Sequence, residues 1–171
     1  EDFPIIFKGC TAVSSLVLAS GSAVVFDGVG AVEPEIGLDL SGYPGLTTLE
    51  ISERVTEINP QTLSKFSYLK TLKVSKTHKK YQSASRDKLL VEKATGKILY
   101  ALSANISGDV LGIGPFAFIG VKSLESVFIP KGVIKIDPCA FNGCTELKSI
   151  VVSDDNPVYD SRDGSNAVIE T

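Results

Sequence analysis

Apolar residues recur along this chain in a pattern that repeats every 23 residues through its last third. Each copy begins with an isoleucine and a proline and leads to three spaced aliphatic residues, which are Leu124, Val127 and Ile129 in one copy and Leu147, Ile150 and Val152 in the next. Self-similarity at a fixed period of this size is typical of a solenoid, in which each repeat packs on its neighbours.

The two halves of the unit predict different local structures. Asp137 is a good helix N-cap, Pro138 suits the first helical position, and Gly143 suits a helix end with positive φ. Ile150 and Val152 alternate with exposed positions, as in a strand. We therefore expect an α/β fold, in which short strands form a parallel sheet backed by one-turn helices.

The same template matches other parts of the chain, so we predict a single domain over residues 1–171. The predicted units lie near residues 2–24, 35–57, 58–80, 113–135 and 136–158. β-Hairpin insertions are predicted at about 20–35 and 81–112, the second from Leu89–Val91 and Lys97–Tyr100. The segment Val74–Ser83 is echoed by Val152–Ser161, which predicts that the sequence ends inside a unit.

Composition and charge narrow the classes of function. The net charge of −3 carries no footprint of nucleic-acid binding, and no apolar run has the length of a membrane span. We interpret the cysteines as buried thiols that act as small apolar residues, although the spacing permits a Cys139–Cys144 disulfide. No cofactor motif is present.

The segment Phe141–Ile150 resembles the BspA-type leucine-rich repeats, as do Phe7–Thr11 and Val127–Pro130. Asn156–Gly164 is similar to the segment that joins repeats in that family. The resemblance implies a right-handed leucine-rich-repeat solenoid in a surface-exposed or secreted protein. It also implies adhesion or protein binding rather than catalysis.

Strand alternation places two columns of residues on the open face of the sheet. The first column consists of hydroxyl residues, namely Ser15, Thr48, Thr71, Ser126 and Ser149. The second column is mixed and consists of Val17, Glu50, Lys73, Phe128 and Val151. One interpretation is a solvated face with a Glu50–Lys73 pair; the other is a binding surface anchored by Phe128 and Val151.

A basic stretch that leads into the second insertion offers an alternative site for an anionic ligand, formed by Lys76, His78, Lys79, Lys80, Arg86 and Lys88. We interpret His78 as a surface-loop residue, because a catalytic histidine needs a nucleophile and a carboxylate beside it. The acidic stretch from Asp154 to Asp163 lacks the spacing of a calcium loop, so a turn is favoured over a metal site.

Three hypotheses follow. The first is a non-catalytic module, extracellular or at the cell surface, that binds a host or neighbouring protein through the sheet face. The second is a glycan-binding module that uses the basic insertion or the hydroxyl column. The third is a structural spacer within a longer surface protein.

Overall fold

The computed structural model describes residues 15–18, 47–51, 58, 60–64, 68–161 and 168–170. The predicted first hairpin at 20–35, Cys10 and most of the predicted units 2–24 and 35–57 lie outside this part. The strands are β1 (Ser15–Leu18), β2 (Thr48–Ile51), β3 (Thr71–Val74), β4 (Tyr81–Ala84), β5 (Leu89–Glu92), β6 (Lys97–Ala101), β7 (Gly112–Ile113), β8 (Ser126–Ile129), β9 (Lys135–Ile136), β10 (Ser149–Val152), β11 (Tyr159–Asp160) and β12 (Ile169–Glu170), with one helix, α1 (Pro60–Leu63), before β3.

The parallel stacking of repeats is confirmed. Strands β1, β2 and β3 pair in parallel, with Leu49 opposite Leu72, and β8 pairs in parallel with β10, with Val127 opposite Ile150. The paired residues are aliphatic and largely buried, because every second residue of a short strand points into the coil. The sheet is not continuous, however: β1–β3 and β8–β10 form two separate sheets.

The predicted one-turn helix is present in one unit, as α1, but a helical backing along the sheet is not supported, since α1 is the only helix within the described residues. Ala117 N donates to Gly114 O and Ala140 N donates to Asp137 O, each closing a four-residue turn with proline second. The third residues, Phe116 and Cys139, have φ of 58° and 61°. A left-handed residue after proline makes a type II-like turn and stops a right-handed helix before it starts.

The second insertion forms a mixed sheet. β4, β5 and β6 are antiparallel neighbours, while β7 and then β9 add to β6 in parallel. The β4–β5 turn contains three consecutive left-handed residues, Ser85, Arg86 and Asp87. This turn brings Asp87 O to the edge of β3, where it accepts a hydrogen bond of 2.7 Å from Leu72 N. The insertion thus occupies the edge on which the next coil would otherwise stack.

The interior divides in the same way. One cluster of buried side chains surrounds Leu49 and Leu72 and includes Tyr81, Leu90 and Tyr100. The other surrounds Phe118 and Val127 and includes Leu89 and Ile98 from the insertion. The insertion contributes side chains to both clusters. It therefore joins two blocks of repeats that do not pair directly: the first block contains β1–β3, and the second contains β8 and β10.

The two blocks are copies of one larger unit. A shift of 78 residues superimposes β2 and β3 on β8 and β10 in sequence. The antiparallel pairing of Tyr81 with Glu92 recurs as the pairing of Tyr159 with Glu170. The β4–β5 pair of the insertion thus recurs as the β11–β12 pair, in line with the similarity of Val74–Ser83 to Val152–Ser161.

Candidate binding surface

The exposed column on β2 and β3 is polar. Glu50 lies opposite Lys73, and Lys73 Nζ is 3.4 Å from Glu50 Oε1 with both side chains about half exposed. Thr48 and Thr71 are partly buried beside them. Ser15 and Val17 of β1 hold the matching register positions, opposite Thr48 and Glu50. This part of the surface can form hydrogen bonds and ion pairs with a ligand.

The equivalent column on β8 and β10 is apolar. Phe128 lies opposite Val151, and the two are 53% and 48% exposed. Ser126 and Ser149 adjoin them in the next column, and an exposed ion pair of 3.6 Å joins Lys148 Nζ to Glu125 Oε2. Two neighbouring exposed apolar side chains with a polar rim have the composition of a small interaction site.

The structure does not bring all ten predicted face residues together. Those on β1–β3 share one sheet and those on β8 and β10 share another, because the insertion intervenes after Val74. The predicted pairing within each set is correct. A role for these residues in binding remains a prediction.

His78 does not belong to the exposed basic set, since it is 2% exposed. Its Nδ1 accepts hydrogen bonds of 3.1 Å from the backbone amides of Lys80 and Tyr81. Its ring lies 5.0 Å from that of Tyr81, and His78 O accepts from Lys93 Nζ at 2.6 Å. The surface-loop interpretation is wrong because the imidazole organises the turn that starts the insertion.

Asn156 caps the equivalent turn in the second block. Its Oδ1 accepts from the amides of Val158 and Tyr159 at 2.9 and 2.8 Å, and its Nδ2 donates to Pro130 O and Val133 O. His78 and Asn156 are related by the 78-residue shift. An alignment of the two linkers places His78 opposite Asn156. Asparagine commonly caps a turn with its side chain, so this match could have predicted the buried role of His78 from the sequence.

Several other basic side chains are engaged within the chain. Lys88 Nζ donates to Lys70 O, and Lys80 Nζ lies 5.3 Å from the centre of the Tyr81 ring. Lys76, Lys79 and Arg86 are exposed. The basic surface is thus narrower than the sequence suggests.

Asp137 makes an ion pair instead of the predicted helix cap. Lys97 Nζ donates to Asp137 Oδ2 at 2.6 Å, and both side chains are largely buried. The bond joins β6 of the insertion to the turn that follows β9. The pair therefore links the insertion to the second block, and its partial burial means that removal of either partner would leave the other charge uncompensated.

The cysteines differ from the expectation. Cys139 is exposed in its left-handed turn, whereas Cys144 is partly buried and its Sγ donates to Phe118 O at 3.2 Å. Both are free thiols, so the disulfide that the spacing permits is not formed. Burial raises the pKa of the Cys144 thiol.

A cavity of about 400 Å³ lies at the seam between the two blocks. It is lined by residues that precede β3 and β8, and by two from the insertion: Ser64, Leu69, Tyr100, Leu102, Gly120, Val121, Lys122 and Ser123. Tyr100 is 4% exposed, and burial raises its pKa to about 12. The seam is therefore incompletely filled.

Two absences apply to the described residues alone. They contain no group of three or more histidine, cysteine or acidic side chains placed to hold a metal ion. No helix within the same residues has the length and apolar character needed to cross a membrane.

Comparison with known proteins places these features in a family. The family model for a BspA type leucine rich repeat region matches residues 40–89 and 101–161, with six copies. No curated protein matches the sequence.

Two solved structures are similar at low identity. One is a leucine-rich repeat protein from Eubacterium ventriosum, with 20% identity over 62% of this chain and 36% of that one and a TM-score of 0.44. The other is a leucine rich cell surface protein from Faecalibacterium prausnitzii, with 21% identity over 66% and 42% of the two chains and a TM-score of 0.41. This chain thus spans well under half of either. The repeats matched by the family model show that the chain belongs to the BspA-type leucine-rich-repeat family.

Proposed function

We propose that this protein is a non-catalytic interaction module, secreted or displayed at the cell surface, that binds another protein through the face of β8 and β10. The observation that carries the proposal is the adjacent exposure of Phe128 and Val151, each about half exposed on paired strands. An aromatic ring beside an aliphatic side chain supplies the apolar centre that binding energy commonly requires.

The polar groups around this centre support the same role. Ser126 and Ser149 offer hydroxyl groups that both donate and accept, and Glu125 and Lys148 offer charges of both signs. Such a rim adds specificity, while the apolar pair contributes most of the free energy of binding. The Glu50–Lys73 surface on the first block then serves as an additional contact for a large partner.

The test compares two double variants on arrays of purified extracellular-matrix and bacterial surface proteins, with biolayer interferometry on each protein that the parent chain binds. Phe128→Ala with Val151→Ser is expected to weaken binding about tenfold or more, since each anchor contributes on the order of 1 kcal/mol or more. The matched control, Leu111→Ser with Ile134→Ser, removes two side chains of similar exposure, 46% and 52%, from neighbouring coils elsewhere.

Equal loss in both variants would show that the sheet face is not the binding site. Binding to no array protein at all would favour the structural spacer. Thermal unfolding of each variant confirms that the fold is retained.

A glycan-binding role is the second candidate, and the exposure of Lys76, Lys79, Lys80 and Arg86 favours it. Heparin is the probe, because its sulfates match a cluster of basic side chains. This site predicts that affinity falls steeply above physiological ionic strength and is reduced by Lys76→Ala with Lys79→Ala. The sheet-face variant should leave heparin binding unchanged.

A further inference from the structure

One edge of the β8 backbone has no partner strand among the residues that the structure describes. Glu125 O and Ile129 O accept hydrogen bonds from Ser149 N and Ser153 N of the β10 segment. Alternate residues of a strand direct their amides to opposite edges, so the N–H and C=O groups of Ser126 and Phe128 point away from β10. No hydrogen bond from these groups reaches any other residue that the structure describes.

Strands β2, β3 and β10 each follow another strand in their own sheet. In these three strands the corresponding backbone groups face or bond to that preceding strand. Thr48 and Glu50 of β2 face β1, and Thr71 of β3 donates to Thr47 O. Ser149 of β10 donates to Glu125 O. The edge of β8 is the exception, although the repeat assigns it the same pairing.

The exception arises because residues of the insertion form hydrogen bonds with the backbone groups of the β3 segment that β8 could otherwise pair with. If β8 stacked directly on β3, Ser126 N would donate to Lys70 O, which instead accepts a hydrogen bond from Lys88 Nζ. Leu72 N would donate to Ser126 O, but it donates to Asp87 O instead. The segment 23 residues before β8, at 103–106, is irregular and makes no backbone bond to β8, although Ile106 packs into the second cluster.

The surroundings leave space at this edge. Ser126 is exposed, and Phe128 is 53% exposed directly beside the unpaired groups. The cavity at the seam lies between Leu69, just before β3, and Val121–Ser123, just before β8. Backbone donors and acceptors in a row beside an exposed aromatic side chain are matched by an extended polypeptide.

We propose that the edge of β8 accepts an extended segment of the partner protein by strand addition, with the main chain of that segment bonded to Ser126 and Phe128. This inference rests on the proposed function, because it names how the partner reaches the same face. Phe128 then has two roles: its backbone pairs with the added strand and its side chain contacts the next part of the partner.

The free protein gives the first test, by hydrogen–deuterium exchange measured with NMR. The amides of Ser126 and Phe128 should exchange at least about tenfold faster than those of Ser149 and Val151, which pair with β8. Slow exchange at Ser126 and Phe128 would show that the edge is already covered and would overturn the proposal.

The binding test uses the strand that would lie beside β8 if the two blocks stacked directly, which is β3, as a synthetic peptide of residues 68–75. One version is N-methylated at Leu72 and Val74, whose amides face the next coil, and the matched version at Thr71 and Lys73, whose amides face the preceding coil. Strand addition predicts that the first version binds at least about tenfold more weakly than the second, because methylation removes the donors. Equal binding of the two versions, or equal loss, would overturn the proposal.

Two protein variants separate this inference from the proposed function. Ser126→Pro removes an edge donor but keeps the Phe128 and Val151 side chains, and it should abolish peptide binding. The control Leu111→Ser with Ile134→Ser leaves β8 unchanged and should bind the peptide within about threefold of the parent. Unchanged peptide binding in Ser126→Pro would refute strand addition and leave side-chain docking, which Phe128→Ala with Val151→Ser tests, intact. Concentration-dependent dimers that vanish in Ser126→Pro would also overturn the proposal, because the occupant would then be a second copy.

Discussion

The two blocks of repeats are the same structure 78 residues apart, yet they present different surfaces and different edges. The first block shows an ion pair, Glu50–Lys73, where the second shows the apolar pair Phe128–Val151. β2 has β1 on its preceding edge, whereas no strand of the described part of the chain lies on that edge of β8. The two blocks therefore share the buried aliphatic positions of the repeat. They differ in the side chains on the exposed face and in whether a neighbouring strand is present.

The buried positions should differ in their sensitivity to truncation. Leu72→Ala should lower the free energy of unfolding by about 2–5 kcal/mol, because Leu72 is fully buried. Ile150→Ala, at the equivalent position, should cost less, because Ile150 is only partly buried. Urea denaturation of both variants measures the difference. Equal losses would mean that the two cores are equally well packed.

Asparagine should be able to replace His78, because Asn156 holds the equivalent turn in the second block. Asn156→Ala removes two acceptor and two donor hydrogen bonds and should cost about 1–3 kcal/mol. His78→Ala should have a similar effect on the first block, while His78→Asn should restore most of the lost stability. Thermal unfolding of the three variants checks this. If His78→Asn were as damaging as His78→Ala, the turns would not be equivalent.

The exposed ion pairs should matter least. A double-mutant cycle on Glu50 and Lys73 should give a coupling below about 1 kcal/mol, because both groups are in contact with solvent. The pair Glu125–Lys148 is more exposed, at 69% for each side chain, so its coupling should be smaller still. Added salt should remove both couplings. A larger coupling in the second pair would indicate a polar role for that face in stability.

Much of the fold could be predicted because the repeat is local. The 23-residue spacing of aliphatic residues placed Leu49 opposite Leu72 and Val127 opposite Ile150, since any coil of that length must stack with its strands in this register. Of the candidate site, the sequence predicted which residues are neighbours within each sheet. It did not predict that the ten face residues belong to two separate sheets.

The errors share a physical cause, which is that local preferences were decided by neighbouring coils. Asp137 and Pro138 suit a helix start, but Cys139 adopts a left-handed conformation and Asp137 pairs with Lys97, 40 residues earlier. His78 reads as a surface residue beside two lysines, but its imidazole accepts the amides of its own turn in the interior.

What the sequence determined by itself is the coil: its length, its buried aliphatic positions and its parallel strands, because these depend on spacing along the chain. What only the tertiary structure decided is where the stack is interrupted. That depends on a left-handed turn that carries Asp87 O and Lys88 to the edge of β3. Hydrogen bonds between segments distant in the sequence do not produce a periodic pattern of residues. The unpaired edge of β8 could therefore be recognised only from the tertiary structure.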